Sequence, residues 1–329
     1  MTLSVVLAAA LAAAGMVIVL GLTGGNAGRS LAPATVRHTA RLRPPMRPPV
    51  GKIGRYVVAS TSLRFIDRSR PALGARVLPT LVRYPVVPAE TVTAVTLARG
   101  PFPLVIFAPG YLQCRSSYAS LLQAWASAGY VVAAVEFPRT HCHVSDPDEA
   151  DLSNQPRDIS IVITRLLAVS ARPAGVLYGL IDPARIAVAG HSDGGDTATA
   201  VAANVCCRDR RVIAAMILSG AEWPPLAGRY FPRGTPPMLF VQGSEDTWNP
   251  PAASIQLYLA DRTGIRYYLD LPGAGHFAPY EGHGRPEPLV AQVTVDFLNQ
   301  YLDGQPSAMV AFRSVPGVAE LASGGHLRS

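Results

Sequence analysis

The chain has 329 residues, of which 49% are apolar and 16% charged, a balance that excludes an extended disordered polymer and supplies a large core. Its formal charge of +7 is concentrated at one end: residues 1–99 hold 13 basic and 2 acidic side chains, and residues 100–329 hold 16 and 20. The body is therefore slightly acidic and carries no groove-reading motif, which excludes a nucleic-acid partner.

In chain order, the first feature is an apolar run from Leu3 to Leu22, about 20 residues and long enough to cross a bilayer as a helix. Residues 1–25 read as a signal peptide or a transmembrane anchor. Gly25-Asn26-Ala27 has the small-residue character of a cleavage site, yet no Lys or Arg precedes the apolar run. As an uncleaved anchor, its flanking Arg29, Arg37 and Arg41 favour a cytoplasmic domain. A membrane partner or export is expected, with the side left open. Residues 26–53, with Arg43-Pro44-Pro45 and Arg47-Pro48-Pro49, read as a solvated polyproline-like linker. The folded domain is expected over 54–305, with a tail over 306–329.

Within that domain, strands are predicted at 56–60, 78–84, 104–107, 131–137, 185–189, 213–218, 238–242 and 265–271. Continuous apolar runs such as Leu104-Val105-Ile106-Phe107 suit strands buried on both faces. Helices are predicted at 118–128 and 158–167, the second with Ile159, Val162, Ile163 and Leu166 on one stripe. Strands alternating with helices make a mostly parallel α/β sheet of about eight strands, with ligands at the carboxyl ends of its strands.

One strand end reads Gly190-His191-Ser192-Asp193-Gly194-Gly195. Gly-x-Ser-x-Gly between a strand and a small-residue helix is a nucleophile elbow, in which glycines let strand and helix approach closely enough to expose the serine. A serine nucleophile needs a base and an orienting acid, in the order Ser, acid, His on this architecture. After strand 238–242 comes Gly243-Ser244-Glu245-Asp246, and after strand 265–271 comes Gly273-Ala274-Gly275-His276-Phe277. Asp246 is the predicted acid, with Glu245 as fallback, and His276 the predicted base in place of His283, His38 or His326. Two backbone donors are expected for the oxyanion: the N–H of Asp193, and that of Tyr111 in the turn Pro109-Gly110-Tyr111.

These motifs resemble the α/β-hydrolase superfamily, over about residues 54–305. Within it the chain is most similar to the bacterial cutinase and polyester-hydrolase branch, with its chlorophyllase and platelet-activating-factor acetylhydrolase relatives. Specific to that branch are the stretch from Pro109-Gly110-Tyr111 to Ala128-Gly129-Tyr130-Val131-Val132, and Glu222-Trp223. The resemblance implies a carboxylic-ester hydrolase with triad Ser192, Asp246 and His276, oxyanion donors Tyr111 and Asp193, and Trp223 as a subsite wall beside Tyr111. It departs from the branch at Asp193, where polyester hydrolases usually carry methionine, and at Trp248, bulkier than usual. Asp193 also suits a helix start, where the dipole favours negative charge.

A peptidase or acyltransferase on the same fold, or a catalytically silent membrane-anchored binding module, are the competing readings. Cys114 and Cys142 lie in loops after neighbouring strands and can pair. His141-Cys142-His143 lacks a matching ligand pair for a metal, and Cys206-Cys207 read as packed or free thiols. No cofactor motif is present in the sequence.

Overall fold

Apolar runs too long for one-sided burial occupy the middle of a ten-stranded sheet. The computed structural model describes residues 50–88, 95–97, 99–262, 264–282, 284, 286–305, 308–311 and 320–323, all in the unit Met46–Ser329. The apolar run from Leu3 to Leu22, most of the linker, and His38, His283 and His326 lie outside the described residues. Among the described residues no helix is long and apolar enough to cross a membrane.

The strands are β1 (Val57–Asp67), β2 (Arg76–Pro88), β3 (Val95–Leu97), β4 (Phe102–Ala108), β5 (Val131–Val135), β6 (Ile181–His191), β7 (Val212–Leu218), β8 (Met238–Gly243), β9 (Arg266–Leu271) and β10 (Glu320–Ser323). Their order is β1-β2-β5-β4-β6-β7-β8-β9-β10, with β3 on β2. The block from β5 to β9 is parallel, as expected. Both flanks differ from the expectation. β1, β2 and β3 pair antiparallel, β2 joins β5 antiparallel, and β10 runs antiparallel on β9, so the sheet is mixed and wider than eight strands. The cause is local. β1 alternates in its second half, with Thr61, Leu63, Phe65 and Asp67 turned inward and Ser62 and Arg64 outward, which suits a sheet edge with one face in water.

Helices α1 (Ala119–Ser127), α2 (Gln155–Ser170), α3 (Asp193–Ala203), α4 (Pro251–Ala260), α5 (Pro286–Leu302) and α6 (Ala308–Ala311) complete the fold. α4 and α5 were not expected, although Val290, Val293 and Phe297 of α5 are buried at helical spacing. Trp125 Nε1 of α1 donates to Thr294 Oγ1 of α5 at 2.8 Å. The packed chain reaches back into the stretch read as linker: Val50 is buried, and Gly51 N–H donates to the Ala128 carbonyl at 2.6 Å.

A buried ion network fixes α2 to the antiparallel flank. Arg76 on β2 binds Asp151 through two bonds of 2.7 Å, and meets Asp158 of α2 at 2.6 Å through Nη2. Arg70 bonds Asp67 at 2.9 Å and also reaches Asp158. Burial works against the Arg76 charge, but the carboxylates of Asp151 and Asp158 outweigh it and hold the guanidinium firmly protonated.

Candidate active site

The carboxyl ends of β4, β6, β7, β8 and β9 lie on one rim, and each predicted site residue sits beyond one of them. Ser192 follows β6 with φ 55°, a conformation that non-glycine residues rarely adopt. Its N–H donates to the Leu218 carbonyl at 2.9 Å, so the end of β7 holds the turn. The glycines around it are required by space. A Cβ on Gly190 would collide with the Gly194 carbonyl, and one on Gly194 with the Ala108 carbonyl of β4. Ser192 therefore stands where strand, helix and the loop after β4 all touch.

Asp246 and His276, from the loops after β8 and β9, are brought together. His276 Nδ1 lies 2.7 Å from Asp246 Oδ2, and both side chains are almost wholly buried. Asp246 also accepts from Gln242 Nε2 at 3.0 Å, and its Oδ1 accepts from the N–H groups of Trp248 and Asn249 at 3.0 and 2.9 Å. Burial alone would raise its pKa. The hydrogen bond and charge of His276, and the Asn249 N–H, outweigh burial and hold the carboxyl below its ordinary value. Glu245, the fallback acid, is exposed.

Gln242, Asn249 and Ser219 form a buttress that sequence reasoning missed. Gln242 Oε1 accepts from Ser254 at 2.5 Å, and Asn249 Nδ2 donates to the Ser219 carbonyl at 2.7 Å. Ser219 meets Tyr280 at 3.0 Å, and Tyr280 donates to the Val241 carbonyl at 3.0 Å. Gln242 and Asn249 bond Asp246 from four and three residues away, but their links to Ser219 and Tyr280 come from distant segments and leave no local mark in the sequence.

The loop after β4 lies against the serine. A Cβ on Gly110 would come within 3.1 Å of Ser192 Cβ, which places the half-buried Tyr111 next along at the same rim. Cys114 in this loop is bonded to Cys142 in the loop after β5, with Cα atoms 5.0 Å apart, and Leu112 N–H donates to the Thr140 carbonyl at 2.8 Å. His143 Nε2 lies 3.7 Å from Cys114 Sγ. Cys114, Cys142 and His143 are the one grouping of potential metal ligands among the described residues, and the two sulfurs are bonded to each other. Cys206 and Cys207, expected as packed or free thiols, are bonded to each other just beyond α3.

Asp193 opens α3. A helix start accommodates a carboxylate, but here burial and the charge of Glu149 push its pKa up to about 7, against the opposing charge of His276 and its own backbone hydrogen bond. Its Oδ2 is buried without a hydrogen-bond partner. Trp223 is half-buried in the loop after β7. Trp248 is 72% exposed and lies over His276 at 6.2 Å between ring centroids, inclined by 23°.

A protein-family profile described as PET hydrolase-like matches residues 82–310. A bis(hydroxyethyl) terephthalate hydrolase from Streptomyces coelicolor is 27% identical over 62% of this chain and 58% of its own length. Cutinase 1 from Thermobifida cellulosilytica is 26% identical over 60% of this chain and 68% of its own. A cutinase from Thermobifida fusca is 26% identical over 60% of this chain and 59% of its own. The chain thus spans less than two thirds of the first of these relatives. A solved ferulic acid esterase from Streptomyces cinnamoneus aligns with a TM-score of 0.65 at 23% identity, over 83% of this chain and 99% of that one, a likeness of fold.

Proposed function

Because this chain belongs to the PET hydrolase-like family, we propose that it is a serine carboxylic-ester hydrolase acting on lipid-like or polyester-like esters. In this reading Ser192 attacks the ester carbonyl, and His276 takes the hydroxyl proton and later returns it to the leaving alcohol. Water then cleaves the acyl-enzyme by the same route. Asp246 keeps the His276 Nδ1 proton in place, which leaves Nε2 to face the serine. The N–H groups of Tyr111 and Asp193 receive the oxyanion, and Trp223, Tyr111 and Trp248 border the substrate. The names of the relatives support an ester as substrate.

The observation that carries this reading is the buried 2.7 Å contact between Asp246 and His276 on the rim that also bears the strained Ser192 turn. A fluorophosphonate probe is expected to label Ser192 of the folded protein, and the protein is expected to hydrolyse p-nitrophenyl butyrate. No adduct on Ser192 in folded protein would sink the proposal.

Asp193 sets a pH dependence within this site. A carboxyl with a raised folded pKa lends stability that is fully present below its unfolded value near 3.8 and is lost as pH rises through about 7. Asp193→Asn stays neutral throughout. It is therefore expected to be more stable than the wild type by up to about 4 kcal/mol at pH 8 and nearly indistinguishable at pH 4. Removing the charge beside the oxyanion is expected to raise kcat/KM roughly tenfold at pH 8 and little at pH 5.5. Melting curves and ester kinetics at those pH values check both. An equal change at every pH would show that the Asp193 charge is not the cause.

A further inference from the structure

His191, immediately before the nucleophile, is fully buried, and both its ring nitrogens are engaged. Nδ1 lies 2.8 Å from Tyr118 Oη, and Nε2 lies 2.9 Å from the backbone carbonyl of His276. Tyr118 Oη in turn accepts from the N–H of Gly110 at 3.2 Å. The proton positions follow from chemistry. A carbonyl oxygen only accepts, so Nε2 carries the ring proton and donates to His276. Nδ1 is then bare and accepts the Tyr118 hydroxyl proton, and the Tyr118 oxygen is left to accept from Gly110. Every group is satisfied once, and the ring must be neutral. Burial first, then the charge of His276, push its pKa down to about 3, which keeps it so.

From this geometry, and resting on the hydrolase reading above, we infer that His191 and Tyr118 are positioning residues that lock the oxyanion loop and the base-bearing loop to the nucleophile. The relay runs from Gly110 through Tyr118 and His191 to His276, and so crosses the site in one line of directed bonds. It ties the turn before Tyr111, the end of β6 and the backbone of the base. It spends the Gly110 N–H on Tyr118, so the oxyanion falls to the next amide along, that of Tyr111. The His191 ring is also wedged between His276 and Tyr280, at 4.6 and 4.7 Å between centroids. An apolar residue of equal bulk would fill that space while leaving the Tyr118 hydroxyl proton and the His276 carbonyl unpaired in a dry interior. The bonds, not the volume, are what the site needs.

The test compares wild type, Tyr118→Phe, His191→Leu, His191→Gln and the double variant Tyr118→Phe/His191→Leu. The assays are p-nitrophenyl butyrate hydrolysis and inhibition by a phenylboronic acid, which mimics the tetrahedral intermediate, all well below each melting temperature. Displacing catalytic groups by a fraction of an ångström to an ångström costs up to about 100-fold. Tyr118→Phe is expected to lower kcat about 30-fold with KM unchanged. The boronate Ki is expected to rise by a similar factor. His191→Leu should match or exceed that loss, His191→Gln, which both donates and accepts, should recover part of it, and the double variant should be little worse than His191→Leu. Melting-temperature losses with kcat and boronate affinity intact would overturn the inference and leave His191 as packing. Failure of His191→Gln to recover anything, together with additive single effects, would overturn the relay. Wild-type protein that neither turns over the ester nor takes the fluorophosphonate overturns the hydrolase reading itself, and the positioning role with it.

Discussion

Ser192→Ala and His276→Ala are each expected to lower kcat on an ester substrate by about five to six orders of magnitude, and Asp246→Asn by about four. The double variant Ser192→Ala/His276→Ala is expected to be no slower than either single one, because a base without its nucleophile has nothing to deprotonate. Asp246 differs in kind. Its four donors, from His276, Gln242, Trp248 and Asn249, all require an acceptor, and an amide presents N–H groups to at least one of them. Asp246→Asn should therefore melt earlier as well as react slowly. Because the folded carboxyl sits below its ordinary value, its contribution to stability is present above about pH 4 and fades as pH falls through the lowered folded value. Single-turnover kinetics and calorimetry measure the two effects separately. Near-full activity in Asp246→Asn with loss in Glu245→Gln would move the acid to the neighbouring residue.

Arg76→Met is expected to destabilise the fold by about 3–5 kcal/mol, since it strips the buried Asp151 and Asp158 of the guanidinium they share, leaving Asn154 on the first and Arg70 on the second. The triple variant Arg76→Met/Asp151→Leu/Asp158→Leu removes the charges together and is expected to recover most of that loss. Denaturant unfolding at pH 7 checks the order. A triple variant less stable than Arg76→Met would show that the network contributes directed bonding that apolar packing does not replace. Activity is expected to suffer less than stability. The network holds the base of α2 and the turn carrying Glu149, not the triad itself.

The centre of the sheet, and the placing of Ser192, Asp246 and His276 beyond the ends of β6, β8 and β9, were legible because each is local in the sequence. Leu104–Phe107 and Val131–Val135 announce buried strands by unbroken apolarity, and the turn at Ser192 announces itself by glycines at 190 and 194. The antiparallel flank was under-read: Thr61, Leu63 and Phe65 do alternate with Ser62 and Arg64, but a half-wet strand is a weaker signal than a dry one. The buttress and relay were not legible at all. His191 meets a tyrosine 73 residues earlier and a carbonyl 85 residues later, distances at which only the folded chain brings partners together. Polar residues inside strands, such as Gln242 at the end of β8, look like pattern noise until the carboxylate they hold is in view.

The indole of Trp248 is the most exposed large apolar group among the described residues, and its plane is inclined by only 23° to the ring of His276. An excited indole gives up an electron to an imidazolium far more readily than to a neutral imidazole. Light emission from Trp248 is therefore expected to depend on the charge of His276, in the absence of any substrate. Its exposure places that emission to the red of the fully buried Trp125 and the half-buried Trp223. The red component is expected to dim as the base takes up its proton, and Trp248→Phe to abolish the change. An unchanged red component on protonation of His276 would show that the two rings are not electronically coupled.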